Sequence, residues 1–239
     1  MLRRMREDIQ TVFTKDPAAK NILEVILCYP GLHALWLHRI SHWLYKHRRF
    51  TIARLISHFS RGLTGIEIHP GARIARRVFI DHGMGIVIGE TAEIDDDCLI
   101  YKGVVLGGTT LEKEKRHPTL GKHVVVGSNA CILGAITIGE GARIGSGSVV
   151  IKSVPKGATV VGVPGRIVGA KGGKTPDLDF EHGNLPDPLA EVIKILLTFS
   201  EKLEGRLKKL EDIQGIDSPK MMPNYREKDF FDDVKKQDS

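Results

Sequence analysis

The chain has 239 residues, 41% of them hydrophobic and 27% charged, a balance that excludes wholesale disorder and a collagen-like repeat. Aromatic residues make up only 6% while glycines number 26, which points to many tight turns rather than a large aromatic core. The net charge of +6 comes from 35 basic and 29 acidic residues spread along the chain, which suits an anionic small substrate better than a nucleic-acid surface. The densest basic run, Lys46-His47-Arg48-Arg49, reads as a solvated helix end. The longest apolar candidate, Ile22 to Leu37, is broken by Glu24, Pro30 and His33, short of the roughly 18 residues that cross a membrane. No apolar segment of a signal peptide follows the basic N-terminus, so a cytoplasmic protein without a membrane partner is expected. Cys28, Cys98 and Cys131 are scattered and form no CxxC, so neither a disulfide framework nor a cysteine zinc site is expected.

Residues 1–62 show helical apolar spacing, as in Leu32, Leu35, Trp36, Ile40, Trp43 and Leu44. Asp16 before Pro17 reads as an N-cap followed by proline at the first helical position. Pro30-Gly31 reads as a turn. From residue 63 to 168 the period changes to six. Ile68, Ile74 and Ile80 form one run; Ile88, Ile94, Ile100 and Leu106 a second; Leu120, Val126, Ile132, Ile138, Ile144 and Val150 a third. A small or branched residue stands two places before the aliphatic one in the last run and just beyond it, at Val124, Ala130, Ile136, Ala142, Ser148 and Val154. Period six is neither helical nor simple alternation. It predicts short strands joined by sharp turns, three to a triangular coil, with coils stacked through parallel ladders about 4.8 Å apart.

The register breaks twice, between Ile80 and Ile88 and between Leu106 and Leu120. The second break, residues 107–119, is polar and is expected to be a loop thrust out of the coil. Loops on a rigid scaffold often carry function, and each break holds a histidine, His82 and His117. Residues 169–187 read as a linker. A C-terminal helix is expected over 188–213, where Leu189, Leu196, Leu203 and Leu210 recur every seven residues, with Ile193 and Leu207 four after two of them and Ser200 interrupting. That stripe suits a coiled-coil seam or packing on its own subunit. The charged tail, 214–239, is expected to be mobile.

The hexapeptide pattern resembles the left-handed parallel β-helix acyltransferases, a fold that departs from the right-handed crossover preference. The expected class is therefore α+β, with an N-terminal helical region, a left-handed β-helix and a C-terminal helix. Longer stretches are more specific. They are Gly65-Ile66-Glu67-Ile68-His69-Pro70-Gly71-Ala72, then Phe79-Ile80-Asp81-His82-Gly83-Met84-Gly85-Ile86-Val87-Ile88-Gly89-Glu90-Thr91-Ala92, then Val105-Leu106-Gly107-Gly108-Thr109 and Arg116-His117-Pro118. In this order they resemble the serine O-acetyltransferase family, which makes O-acetylserine for cysteine biosynthesis. The resemblance implies acetyl transfer from acetyl-CoA, as co-substrate, to the hydroxyl of L-serine, with no bound cofactor and no metal.

Such a transfer needs a base for the hydroxyl proton, donors for the tetrahedral oxyanion, and both substrates held in line. The resemblance makes His82 the base; an unperturbed imidazole, with a pKa of about 6.5, is mostly neutral at neutral pH and accepts a proton. A carboxylate that fixes the tautomer makes such a base more effective. The family usually places an aspartate in Asp-Ile-His-Pro, where this chain has Glu67. A His82–Glu67 dyad is expected, after a small shift to absorb the extra methylene. By resemblance Asp16 and Asp81 face the substrate ammonium, and Arg116 and His117 face its carboxylate and hydroxyl. Gly108, Gly127, Ser128, Gly145 and Ser146 match the positions that line the CoA slot, with backbone donors near Gly108 aimed at the thioester oxygen. Arg143, Lys152 and Arg166 are candidates for its phosphates.

The family further implies a homotrimer, with a hexamer as the alternative, and feedback inhibition by L-cysteine acting as a serine mimic. Many members dock O-acetylserine sulfhydrylase through a C-terminal isoleucine; this sequence ends in Ser239, which speaks against that mode. Two other activities fit the fold. One is a hexapeptide O-acetyltransferase for a sugar or antibiotic hydroxyl, which would not need the Asp16, Asp81, Arg116 and His117 set. The other is a γ-type carbonic anhydrase holding zinc through His82, His117 and His123 between subunits. A nucleic-acid binder would leave both loop histidines unexplained.

Overall fold

The computed structural model of the chain describes residues 2–168 and 188–215. The expected linker and the tail beyond residue 215 lie outside the described residues. The chain divides into two units, Met1–Pro186 and Asp187–Ser239.

The first unit opens with four helices: α1 (Leu2–Lys15), α2 (Ile22–Cys28), α3 (Pro30–Lys46) and α4 (Phe50–Thr64). Strands β1 (Glu67–Ile68), β2 (Arg73–Ile74), β3 (Phe79–Ile80), β4 (Val87–Ile88), β5 (Glu93–Ile94), β6 (Leu99–Ile100) and β7 (Val105–Gly107) follow. After a loop come β8 (Thr119–Leu120), β9 (Val125–Val126), β10 (Cys131–Leu133), β11 (Thr137–Ile138), β12 (Arg143–Ile144), β13 (Val149–Val150), β14 (Thr159–Val161) and β15 (Arg166–Val168). They wind into a left-handed β-helix with three faces. The first face runs β1-β4-β7-β10-β13, the second β2-β5-β8-β11, and the third β3-β6-β9-β12-β14, where β15 adds an antiparallel edge.

The six-residue period sets this register. Each aliphatic residue from Ile68 to Val150 is the second residue of its strand, and like stacks on like: Ile68 on Ile88 on Leu106, Ile74 on Ile94 on Leu120, Ile80 on Ile100 on Val126. A second buried ladder of smaller groups fills the corners, among them Ala92, Cys98, Val104, Val124, Ala130, Ala142 and Ser148. Strands this short make few ladder bonds each, so stability rests on the core, where burial of one such side chain contributes about 1.5–3 kcal/mol.

The coil turns between the second and third faces through residues with left-handed φ, namely Arg77, Asp97, His123, Gly141 and Gly157, stacked in a column. Each amide from Asp97 onward donates to the preceding turn: Asp97 N to Arg76 O, His123 N to Asp96 O, Gly141 N to Lys122 O and Gly157 N to Glu140 O. Left-handed φ favours glycine, yet the upper levels hold Arg77 and Asp97. These are tied to each other, Arg77 Nε to Asp97 Oδ1 at 2.7 Å, and to α1. Lys15 Nζ, buried, donates to the carbonyls of Arg77 at 3.1 Å, Asp97 at 2.9 Å and Cys98 at 3.3 Å. Burial pulls the Lys15 ammonium down to about 8, against the opposing charge of Asp97.

The other helices close the open end of the coil. Ser57, on the small-residue face of α4 with Ala53, Ser60 and Thr64, donates to Ile68 O at 2.7 Å. Gly31 lets α3 lie on β3, since a Cβ there would stand 2.2 Å from Ile80 O. Asp8 joins α1 to α3 by accepting from Trp36 Nε1 and from both terminal nitrogens of Arg39.

Two local expectations are corrected. Asp16-Pro17 does not start a helix: Asn21 caps α2 by accepting from Glu24 N, and Asp16 lies in a turn after α1. Pro30-Gly31 is the first turn of α3 rather than a break, because proline at the first helical position lacks only an N–H that has no intrahelical partner. Ile40 and Trp43 of the expected apolar face are exposed. Cys28, Cys98 and Cys131 are free thiols. Among the described residues no helix is long and apolar enough to cross a membrane. In the second unit α5 spans Pro188–Gln214. Leu196, Leu203, Leu207 and Leu210 are exposed along it, and the side chain of Leu189 lies outside the described residues.

Replacing Lys15 by Ala strips three carbonyls of their buried donor. The expected loss is on the order of 2 kcal/mol of unfolding free energy, measured by urea titration followed by circular dichroism. Wild-type stability in the variant would show that α1 does not secure the turn column.

Candidate active site

Most of the candidate residues gather at two edges of the coil. The first edge, where the third face turns into the first, carries Asp81 and His82 between β3 and β4. Gly83 N donates to Asp81 O and Met84 N to His82 O, both at 2.7 Å, and His82 has left-handed φ, +57°. This tight turn holds the imidazole outward; its side chain is 73% exposed, with Nε2 3.6 Å from Asp81 Oδ2. Asp81 is pushed above the usual carboxylate range by burial, with His82 opposing and the charge of Asp16 adding to the rise. Asp16 accepts from Ala18 N through Oδ1 at 2.8 Å and from the Tyr29 hydroxyl through Oδ2 at 2.6 Å. Burial first, then Asp16, pushes the Tyr29 phenol up. The turn after α1 and the junction of α2 with α3 thus deliver one carboxylate beside the carboxylate and imidazole of the coil. Two carboxylates within mutual electrostatic reach favour a cationic group between them.

Glu67 is not part of this arrangement. Its Oε2 accepts from Arg61 Nη1 of α4 at 3.0 Å, and no hydrogen bond among the described residues joins it to His82. The extra methylene that was expected to need only a small shift lets the carboxylate reach back to the helix instead. The carboxylate facing His82 is Asp81.

The second edge, where the first face turns into the second, carries Glu90 and Thr91 between β4 and β5, and the loop between β7 and β8 that brings Arg116 and His117. Arg116 Nη2 donates to Glu90 Oε2, and the Tyr45 hydroxyl of α3 donates to Glu90 Oε1 at 2.7 Å. Tyr45 first, then Arg116, holds the Glu90 carboxyl below its usual range. The backbone amides of Arg116 and His117 both donate to Thr91 Oγ1 at 3.1 Å. His117 is buried, and burial, then the Arg116 charge, lowers its pKa. Its ring lies against Gly89 and beside Gly108. A guanidinium and an imidazole side by side, in a loop pinned to the coil, can receive an anionic group.

Gly127 and Ser128 lie between β9 and β10, and Gly145 and Ser146 between β12 and β13, on the same edge as His82. Close coil contact there requires glycine: a Cβ on Gly127 would stand 2.7 Å from Ser146 N. Gly108 belongs to the other edge. Arg143 and Arg166 lie on the third face, and Lys152 follows β13. The chain therefore joins Asp16, Asp81 and His82 in one group and Gly108, Arg116 and His117 in another, one face-width apart. Sequence reasoning missed Tyr29, Tyr45, Glu90 and Thr91. Glu90 and Thr91 stood within a motif, beside a loop whose course carried no signal. Tyr29 joins α2 to α3, 13 residues from Asp16, and Tyr45 lies on α3, 45 residues from Glu90.

A cavity of about 1080 Å³ lies between α3 and the second face, with His38, His42, Trp43, Arg73, Glu93 and Glu140 in its lining; none of the candidate residues lines it. The chemistry of the two edges outweighs the size of that cavity. Among the described residues no three His, Cys, Asp or Glu side chains converge as a metal site.

The family model for bacterial transferase hexapeptide (six repeats) matches residues 117–152. A serine acetyltransferase of Synechococcus elongatus is 55% identical over 210 residues, covering 88% of this chain and 85% of the relative. Among solved structures, a serine acetyltransferase of Neisseria gonorrhoeae in complex with serine matches with a TM-score of 0.68 at 40% identity, over 70% of this chain and 69% of that one. A serine acetyltransferase in complex with cysteine matches with a TM-score of 0.69 at 40% identity, over 70% of each chain.

Gly89 gives the sharpest test of the second edge. A Cβ there would stand 1.9 Å from His117 Cδ2 and 2.1 Å from Nε2, so Gly89→Ala must drive the ring from its seat. The expected outcome is a folded protein, by circular dichroism, whose acetyl transfer falls by about 100-fold. Unchanged transfer would show that the ring position does not matter.

Proposed function

Because the chain belongs to the serine acetyltransferase family, and is thus an acetyltransferase, we propose that it moves acetyl from acetyl-CoA to the hydroxyl of L-serine, giving O-acetyl-L-serine for cysteine biosynthesis in the cytoplasm. The observation that carries this reading is the Asp16–Asp81 pair beside the exposed His82. An ammonium between the carboxylates relieves their repulsion. Arg116 and His117 then meet the substrate carboxylate, with Glu90 and Tyr45 holding the guanidinium. A sugar or antibiotic hydroxyl would leave this zwitterion-binding set without a purpose, and family membership speaks against the carbonic anhydrase alternative.

On this reading His82 takes the hydroxyl proton as the serine oxygen attacks the thioester carbonyl. Backbone donors near Gly108 stabilise the oxyanion. Its collapse expels the CoA thiolate, which receives the proton from His82. Asp81, with Oδ2 3.6 Å from His82 Nε2, would steady the imidazolium by its charge; for Glu67 to take that role it must exchange Arg61 for His82.

The face-width between the two edges supports a site shared by neighbouring copies of a homotrimer, the first edge of one against the second edge of the next. The helical region, 1–62, supplies Asp16, Tyr29 and Tyr45 to the β-helix domain, 63–168. The pantetheine arm would run along the edge of Gly127, Ser128, Gly145 and Ser146, with Arg143, Lys152 and Arg166 toward the phosphates. Cysteine carries the same ammonium and carboxylate as serine, so the same groups would hold it as an inhibitor. The leucine stripe of α5 would reinforce the trimer.

The direct test is CoA thiol release with and without L-serine. We expect serine-dependent release that collapses in His82→Ala, and that falls further in Asp81→Asn than in Glu67→Gln. Release without serine dependence would sink the substrate assignment, and an active His82→Ala would remove the base. The shared site predicts complementation: mixing subunits of inactive His82→Ala and inactive Arg116→Ala should restore about a quarter of the sites in random trimers. No recovery in verified mixed trimers would place each site within one chain.

A further inference from the structure

Thr91 follows Glu90 at the second edge and meets one short segment four times. The amides of Arg116 and His117 donate to its Oγ1, each at 3.1 Å. Its own amide N lies 3.2 Å from His117 Nδ1, and its Oγ1 2.9 Å from the same atom. An amide N–H can only donate, so Nδ1 must carry a bare lone pair. With two N–H groups on its oxygen, the hydroxyl directs its single proton to that same Nδ1. A proton on Nδ1 would set two donors against each other and leave a half-buried amide unsatisfied.

From this geometry we propose that Thr91 is a positioning residue that fixes His117 as the neutral tautomer with its proton on Nε2, an uncharged hydrogen-bond donor. Recognition of the substrate carboxylate's charge then falls to Arg116, while His117 contributes direction. The inference rests on the amino-acid reading of the site for its kinetic consequence, though not for the tautomer itself. The surroundings agree with it. Arg116, Lys115 and His69 are cationic or potentially cationic neighbours, Glu90 is the facing carboxylate, and the ring is buried. Nε2 lies beside Gly89 and Gly108, where there is no side chain to occupy the space.

The test uses the full chain labelled with 15N-histidine. Long-range proton–nitrogen spectra, with the ring assigned by its loss in His117→Asn, should show a bare Nδ1 and a protonated Nε2 at neutral pH. Thr91→Val keeps the backbone amide but removes the acceptor that pins the Arg116 and His117 amides, so the ring should leave its seat on that amide and shift to mixed tautomers. The KM for serine should rise by about tenfold, the size expected for losing one or two such hydrogen bonds, with the KM for acetyl-CoA unchanged. Thr91→Ser, which keeps the hydroxyl, should restore both the spectrum and the KM. A wild-type ring protonated on Nδ1 overturns the proposal, even if Thr91→Val fails to fold. So does Thr91→Val with an unchanged spectrum and serine KM. Absence of any serine-dependent turnover in the wild type would defeat the substrate reading, while the spectrum still decides the tautomer.

Discussion

Stacking of one aliphatic side chain per strand, at a fixed six-residue step, is the constraint on which the rest of this structure depends. A two-residue strand cannot hold its place through its own ladder bonds. It is held because Ile88 must lie between Ile68 and Leu106, and Ile100 between Ile80 and Val126. A shift of one residue would turn that side chain to solvent. The chain must therefore reverse within very few residues at every corner, which accounts for the column of left-handed residues from Arg77 to Gly157. It also gives α1 its docking point, since the carbonyls of the upper turns are the acceptors for Lys15.

Rigidity of this kind pushes chemistry to the edges. The interior has no room for a functional group, and the faces repeat from coil to coil. Only where the register slips do extra residues leave the repeat. The first slip places His82 at left-handed φ, outward beside Asp81. The second supplies a loop long enough to fold back and seat His117 on Gly89. The two edges differ in charge: two carboxylates and an exposed imidazole on one, a guanidinium paired with Glu90 and a buried imidazole on the other. The helices contribute by reaching these edges. Tyr29 steadies Asp16, and Tyr45 steadies Glu90 and, through it, Arg116.

Much of the fold was legible because its period is one-dimensional. The step of six, its two interruptions and the helical flanks can all be counted along the chain, and so the buried ladder and the exceptional histidines could be named in advance. Asp16, Asp81, Arg116 and His117 could be named as candidates, through a resemblance carried by short ordered motifs. What could not be counted was anything set by a contact between distant segments. Asp16-Pro17 and Pro30-Gly31 were misread because each dipeptide is compatible with two local conformations, and the packing of α1, α2 and α3 chose between them. Glu67 was assigned to His82 by its place in a motif, but the extra methylene and the nearness of α4 sent it to Arg61.

The amino-acid sequence by itself determined the coil, its register and the two breaks, because burial of an aliphatic residue at every sixth position is a local rule repeated many times. It also carries, in order, the side chains proposed to bind an amino acid and move a proton. The tertiary structure alone decided how those side chains are grouped. It put them on two edges a face apart, enlisted Tyr29 and Tyr45 from the helical region, and fixed the proton of His117 through Thr91. Hydrogen bonds such as these depend on angles and distances between segments that are remote in sequence, and no period along the chain records them.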